Sequence, residues 1–502
     1  MEFDVLQNLS TGFGAALSIN NLGFALLGCL LGTLIGVLPG IGPIPTIAML
    51  LPITFGLDPL SSLIMLAGIY YGAQYGGSTT SILVNIPGEA GSIVTCIDGH
   101  QMAKQGRAGV ALGVAALGSF FAGCVGTVFI AAFGPPLAAI AQQFNAPENF
   151  SLMLLGLVTA VVLAHGSVIK AIGMVLVGLL FGLVGTDVNS GLTRYTFGVS
   201  ELWDGIDFLP LVIGMFGVVE IVRNLERGEL PRAQIYTSLR ELWPSLQDFK
   251  DSWRAVLRGT GLGSILGILP GGGAVLAAFA SYTVEKKIAA DPSRFGKGAI
   301  EGVAGPESAN NAAAQTSFIP LLTLGLPSNA IMALMMGAMI IQGIQPGSAV
   351  MTKRPDLFWG MVASMWIGNL MLLVINLPLI GIWVRLLSVP YRLLYPAILL
   401  FCVIGIYATN TNVVQLVMTA VFALFGYILV KFECEPAPLV LGFILGPLME
   451  ENLRRALVIS RGDPRIFLES WISIVLLALT VLVIALIVLP QIRKSREEAF
   501  QE

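Results

Sequence analysis

Between Asp4 and Glu89 the chain carries a single charged side chain, Asp58. Uncharged runs recur between Arg107 and Glu148, Glu307 and Lys353, Asp356 and Arg385, Arg392 and Lys431, and Glu469 and Arg493. A helix needs roughly 20 mostly apolar residues to cross a bilayer, and in lipid its backbone must satisfy its own hydrogen bonds. The runs lack the polar–apolar alternation of barrel strands. With shorter apolar stretches at 152–163, 171–185 and 208–222, they predict an all-α polytopic membrane protein of about 10–12 transmembrane segments. Composition agrees, since 11% of the 502 residues are charged against about 25% in soluble domains.

Net charge is −3 and there is no basic stripe, which argues against nucleic acid as a partner and leaves the lipid bilayer as the surroundings. The five cysteines show no paired spacing and read as small hydrophobes. Met1-Glu-Phe-Asp4 lacks a basic leader, so the first apolar segment is expected to stay as a span. The longest polar stretch carries Arg223, Arg227, Arg232, Arg240, Lys250, Arg254 and Arg258, and the positive-inside rule places it in the cytoplasm with the tail bearing Arg493, Lys494 and Arg496. The expected organisation is a first transmembrane half (1–222), a cytoplasmic basic linker (223–258), a second half (259–492) and a cytoplasmic tail (493–502).

The halves resemble each other. Gly32-Thr-Leu-Ile-Gly36-Val-Leu-Pro39-Gly40-Ile-Gly42 matches Gly263-Ser-Ile-Leu-Gly267-Ile-Leu-Pro270-Gly271-Gly-Gly273, the prolines standing 231 positions apart (270 − 39). Ala73-Gln74 leading to Asn85-Ile-Pro87-Gly88 matches Ala314-Gln315 leading to Gly325-Leu-Pro327-Ser328. This reads as two structural repeats with broken helices and re-entrant hairpins. An N-terminus without Lys or Arg, against a second half that starts from a basic loop, favours inverted repeats, although the basic residues around Lys104 and Lys286 pull the other way. Gly106-Arg107 and Gly296-Lys297 open similar stretches at non-equivalent positions, by coincidence or because the second half carries an insertion.

Proline and glycine within a span free backbone groups that lipid cannot satisfy, so such breaks sit against protein or a water-filled cavity. The breaks at Pro39-Gly40 and Pro270-Gly271 are of this kind, and broken helices in transporters aim positive N-termini at anions and bare carbonyls at Na+. Two clusters of uncharged polar residues accompany them. The first holds Gln74, Ser78, Thr79, Thr80 and Ser81, followed by Asn85, Pro87 and Gly88. The second holds Glu307, Ser308, Asn310, Asn311, Gln315, Thr316 and Ser317, followed by Pro327, Ser328 and Asn329. Hydroxyls and amides offer donors to a carboxylate and acceptors to a cation without a buried charge. The bland alternative is close helix packing through small polar residues. Glu307, at the edge of its cluster, suits either a coupling role or an interfacial one. His100 reads as a loop histidine beside Lys104 and Arg107, His165 and Lys170 as flanking a turn, and Arg385 and Arg392 as snorkelling anchors. No phosphate-binding loop, HExxH, GxSxG or metal-spaced His/Cys cluster appears, and no catalytic residue or cofactor is expected.

At these motifs the chain resembles the large, TctA-type membrane subunit of tripartite tricarboxylate transporters. The resemblance rests on Gly36-Val-Leu-Pro39-Gly40-Ile-Gly42-Pro-Ile-Pro45-Thr46, Tyr71-Gly-Ala-Gln74-Tyr-Gly76-Gly77-Ser78-Thr-Thr-Ser81-Ile-Leu-Val-Asn85-Ile-Pro87-Gly88, Asp98-Gly-His100 and Gly305-Pro-Glu307-Ser308-Ala-Asn310-Asn311-Ala. It implies a small membrane subunit and a periplasmic solute-binding protein as partners, and ion-driven uptake of di- or tricarboxylates such as citrate across a bacterial inner membrane. Na+ is the favoured coupling ion and H+ the alternative, with a Na+ site expected near the same breaks. A carboxylate channel and a membrane-embedded enzyme without a recognisable motif are the competing classes.

Overall fold

The computed structural model describes residues 5–38, 42–163, 167–187, 190–227, 241–269, 273–386 and 391–488. Pro39, Gly40, Pro270, Gly271, His165, part of the basic linker and the tail lie outside the described residues. The described chain is helical apart from one antiparallel pair, Gly185–Thr186 with Thr193–Arg194. The helices are α1 (Val5–Ala16), α2 (Ile19–Val37), α3 (Pro43–Thr54), α4 (Pro59–Val84), α5 (Ile93–Met102), α6 (Ala108–Ala141), α7 (Ala146–Leu163), α8 (Val168–Gly182), α9 (Phe208–Val212) and α10 (Val219–Arg227). After the linker come α11 (Leu246–Ile268), α12 (Gly273–Ile288), α13 (Glu301–Thr316), α14 (Phe318–Leu324), α15 (Ala330–Ile341), α16 (Ser348–Lys353), α17 (Pro355–Asn376), α18 (Ile380–Leu386), α19 (Tyr391–Asn410), α20 (Val413–Lys431), α21 (Ala437–Ile459) and α22 (Trp471–Val488).

Among the described residues five helical stretches are long and apolar enough to cross a membrane unaided: Ile19–Val37, Ala90–Ala141, Phe208–Glu226, Pro355–Asn376 and Val413–Lys431. Other apolar runs form shorter helices, such as Pro43–Thr54, Val168–Gly182 and Ala330–Ile341. Prolines and positive-φ glycines cut these runs, as at Gly42 (φ 65°) and Gly273 (φ 53°).

Polarity is inverted relative to a soluble protein. The polar helices α4 and α13 are buried almost end to end, while α20 exposes the apolar stripe Val413, Val417, Val421, Leu424 and Ile428. Lipid covers such a stripe at no hydrophobic cost, and polar side chains turn inward to find partners. The lone charge of the first run, Asp58, is the N-cap of α4, accepting from the Leu60 amide at 3.1 Å ahead of Pro59.

Close approach of backbones fixes how the central helices meet. Gly28, Gly32 and Gly36 of α2 lie so near the carbonyls of Met65, Ile69 and Ala73 on α4 that a Cβ would overlap them. Gly259, Gly263 and Gly267 of α11 meet Gly305, Ala309 and Ala313 of α13 in the same way, again 231 positions along (259 − 28). Packing is also exchanged between the two parts of the chain: α6 lies on α13 and α17 on α4; the turn before α5 lies on α12 and α15 on α3; α8 lies on α21 and α20 on α9.

Asp98-Gly-His100 belongs to helix α5 and not to a loop. The apolar spacing of Ile93, Val94 and Ile97 carries the helix through it, and His100 is buried with Nδ1 3.0 Å from the Ile82 carbonyl. Gly106 (φ 78°) and Gly296 (φ 82°) both turn the chain ahead of a long helix, and their loops touch where Gln105 Nε2 donates to the Lys297 carbonyl at 2.7 Å.

Candidate functional site

Each polar cluster ends in the same local device. Helix α4 stops at Asn85 (φ 60°), and α14, which continues α13, stops at Gly325 (φ 69°). Both left-handed C-caps precede a proline that bars further helix, Pro87 and Pro327. A Cβ on Gly42, at the head of α3, would lie 4.0 Å from the Gly88 carbonyl, and one on Gly273, at the head of α12, 3.9 Å from Asn329 Cβ. In both parts of the chain a helix start therefore sits beside the turn that follows a polar helix. Gly88 itself is wedged between Gly36 and Gly77, where a side chain would collide with backbone.

A buried network joins α4, α5, α6 and α13. Asn310 Nδ2 donates to Gln74 Oε1 at 2.6 Å and to Glu89 Oε1 at 2.9 Å. Glu89 Oε2 accepts from the Gly91 amide at 2.8 Å, so this carboxylate caps the short turn into α5. Glu307 Oε2 accepts from Ser78 Oγ at 2.6 Å and Oε1 from the Thr95 hydroxyl. Asn311 Nδ2 donates to Ser119 Oγ at 2.7 Å and to the Glu307 carbonyl at 3.0 Å. Among the described residues neither carboxyl has a Lys, Arg or His partner. An unpaired charge in a low-dielectric interior is costly, so this arrangement calls for a cation or proton.

A cavity of about 10 Å³ opens beside Glu307, lined by Tyr75, Ser78, Thr79, Ser119 and Asn376 with Ala115 and Ala116. That is room for roughly one water-sized occupant and too little for a carboxylate substrate. Tyr75 OH and Asn376 Oδ1 are buried, and no hydrogen-bond partner lies among the described residues.

The structure brings Gln74, Ser78, Glu307, Asn310 and Asn311 into one network. Glu307 lies at its centre, 1% exposed. Thr79 lines the cavity while donating to the Tyr75 carbonyl, and Thr80 donates to the Val37 carbonyl at the end of α2. Ser81 bonds Ser92 across the first turn at 2.9 Å. Thr316, Ser317 and Ser328 bond nearby backbone carbonyls, Asn329 caps α15, and the Ser308 hydroxyl and the Gln315 side-chain oxygen are buried with no partner among the described residues. No hydrogen bond among the described residues links the Pro327–Asn329 turn to Glu307. Sequence reasoning passed over Glu89, Thr95, Ser119 and Asn376, and took in Tyr75 as part of the first polar run without giving it a role. Glu89 alone left a signal, as the first acid after a run holding one charge.

Asp98 fixes the frame. Its Oδ1 accepts from the amides of Gly296, Gly298 and Ala299 at 2.9, 2.7 and 2.8 Å, and its Oδ2 from Tyr282 at 2.9 Å. The carboxylate is fully buried and ties α5 to the loop that starts α13. Asp98→Asn turns an acceptor-only group into one that also presents donors, and is expected to cost about 3 kcal/mol. The check is the temperature at which detergent-purified protein aggregates; a wild-type value for the variant would show that the latch bears no load.

The sequence profile described as the tripartite tricarboxylate transporter TctA family matches residues 22–441. An uncharacterized 52.8 kDa protein of Agrobacterium vitis, described by its place in the TAR-I ttuC' 3' region, is 58% identical over 499 residues, 99% of both chains. A second uncharacterized protein of that organism, from the TAR-II ttuC' 3' region, is 59% identical over 240 residues, 48% of this chain and 99% of its own. No solved structure matches the chain.

Proposed function

The chain belongs to the tripartite tricarboxylate transporter TctA family, and from that membership we propose that it is the translocating subunit of a secondary carrier for di- or tricarboxylates in a bacterial inner membrane. A small membrane subunit and a periplasmic solute-binding protein complete the carrier, and the binding protein selects the solute. The observation that carries this reading is the buried network of hydroxyls, amides and two unpaired carboxyls between broken-helix turns.

Moving an anion into a negative-inside cell costs about 2.3 kcal/mol per charge per 100 mV. A multivalent carboxylate therefore enters with cations, and Na+ is the ion this reading assigns, with H+ as the alternative. Helix starts at α3, α12 and α15 lie beside the two turns and offer partial positive charge to substrate carboxylates. The acidic network beneath them offers oxygen to the cation. The glycine contacts at a common 231-residue offset and the exchanged packing support two repeats, whose relative rocking gives alternating access.

The test is uptake of radiolabelled citrate into proteoliposomes holding the three components, with and without an inward Na+ gradient. Na+-dependent, saturable accumulation is expected, and a panel of other carboxylates and a proton gradient extend the search if citrate fails. Ser81→Leu and Asn311→Leu are expected to abolish uptake with normal membrane insertion. Wild-type rates in both variants would sink the site assignment.

A further inference from the structure

The two buried carboxyls are held by different kinds of donor. Both oxygens of Glu89 are taken by N–H groups, the Gly91 amide and the Asn310 side chain. An N–H donor adds no oxygen to a cation's shell, so the surroundings of Glu89 offer a cation less than those of Glu307. The side-chain oxygens of Glu307 meet hydroxyls, Ser78 and Thr95, and Ser119 lies on the same cavity wall. A hydroxyl that donates to a carboxylate keeps lone pairs for a neighbouring ion.

Every polar group on the cavity wall beside Glu307 presents oxygen. Tyr75, Ser78, Thr79 and Ser119 contribute hydroxyls, Glu307 a carboxylate and Asn376 an amide oxygen. Lys, Arg and His are absent from the lining. Two of these groups, Tyr75 and Asn376, are 4% exposed, and among the described residues their oxygens lack a hydrogen-bond partner. Asn376 is oriented by its own Nδ2, which donates to the Leu372 carbonyl at 2.9 Å, leaving Oδ1 bare. Apolar walls at Ala115 and Ala116 leave space on the scale of a single small, dehydrated ion. Hard cations take oxygen ligands. The described residues hold no cluster of three or more His, Cys, Asp or Glu of the kind that holds divalent or transition metals; one carboxylate among neutral oxygens balances one positive charge.

We propose that the Glu307 cavity is a Na+ site, with Tyr75 and Asn376 as ligands beside the Glu307 carboxylate. The inference rests on the transporter reading and names the place of its coupling ion. Because α17 supplies Asn376, α4 Tyr75 and α13 Glu307, a bound ion bridges helices from both parts of the chain.

The experiment is thermal unfolding of the full-length chain purified in detergent, titrated with NaCl at constant ionic strength against choline chloride and KCl. A ligand that binds only the folded state raises the midpoint as it saturates. A Na+-specific rise is expected in the wild type. Asn376→Leu is expected to weaken the apparent Na+ affinity by about tenfold or more, and Tyr75→Phe by a few-fold, the weight of one ligand to a charged partner. If Asn376→Leu fails to give a monodisperse protein, Tyr75→Phe, which loses one oxygen and keeps its ring, decides the matter alone. A wild type that responds equally to choline, or well-folded variants that keep the wild-type Na+ response, would overturn the site. Proteoliposome uptake separates the two readings: accumulation driven by a proton gradient with no Na+ response leaves the carrier standing and removes the Na+ site, and no carboxylate uptake under either gradient removes the carrier.

Discussion

Glu307→Gln lowers carboxylate uptake by about 100-fold or more, with the protein still folded and inserted. The physical grounds are local. Gln has nearly the same volume, and its amide oxygen still accepts from Ser78 or Thr95, whose hydroxyls already point there. What is lost is the negative charge facing a cavity of oxygens. Interactions with a charged group are worth about 1.5–3 kcal/mol, and 1.4 kcal/mol is tenfold in affinity; losing the ion also removes the charge balance that lets a carboxylate enter against the membrane potential. Glu307→Asp keeps the charge one methylene back and is expected to recover part of the rate with a raised Na+ requirement. The measurement is initial uptake rate against Na+ concentration in proteoliposomes, with protein recovery after reconstitution as the folding control. Uptake in Glu307→Gln within a few-fold of wild type would show that the carboxylate is a packing element only.

Gly32→Ala and Gly263→Ala are expected to prevent recovery of folded protein. A methyl at either position collides with a main-chain carbonyl, of Ile69 on α4 or Ala309 on α13. Overpacked cores in general lose about 1–3 kcal/mol by shifting side chains. Here the obstacle is another helix's backbone, so relief requires pulling two helices apart, and the loss falls at or beyond the top of that range. Separation would break the bond from the Thr80 hydroxyl to the Val37 carbonyl at 2.8 Å, leaving it only the Gly76 carbonyl of its own helix at 3.3 Å, and would open the turn at Gly88, wedged against Gly36. Gly261→Ala is the control: it lies on the same helix as Gly263 with nothing within 4 Å of its Cβ position. Detergent size-exclusion profiles and aggregation temperatures decide the matter. If Gly32→Ala and Gly263→Ala behave as Gly261→Ala does, the close helix crossings are wrong.

Much of this architecture is written in local signals. Absence of charge over tens of residues announces helices in lipid, and a Pro-Gly pair inside such a run announces a break. The polar clusters in α4 and α13 lead to two helices that share one buried hydrogen-bond network, because polar side chains in lipid turn toward each other whatever their partners are. Gln74, Ser78, Glu307, Asn310 and Asn311 were therefore legible. Their neighbours were not. Ser119 and Asn376 sit on long helices where one serine or asparagine among apolar residues looks like ordinary helix packing. Glu89 was hidden by position, since an acid just after Pro-Gly reads as the edge of a loop. His100 misled for a similar reason: nearby Lys104 and Arg107 suggested solvent, but helix α5 runs inward before the charges begin. The four residues Pro39, Gly40, Pro270 and Gly271 lie outside the described residues.

The Asp98 latch has a consequence for how the protein is made. Its amide partners at Gly296, Gly298 and Ala299 are about 200 residues further along the chain. Until the ribosome has produced them, the Asp98 carboxylate of α5 lacks these donors. The same holds for Glu89 waiting for Asn310 and for Ser78 waiting for Glu307. The interior of the N-terminal half is thus completed by groups made later in synthesis. Severing the gene within the basic linker need not destroy the carrier, provided both fragments are produced together: each half carries the groups that the other one lacks, and their reunion is driven by burying those groups.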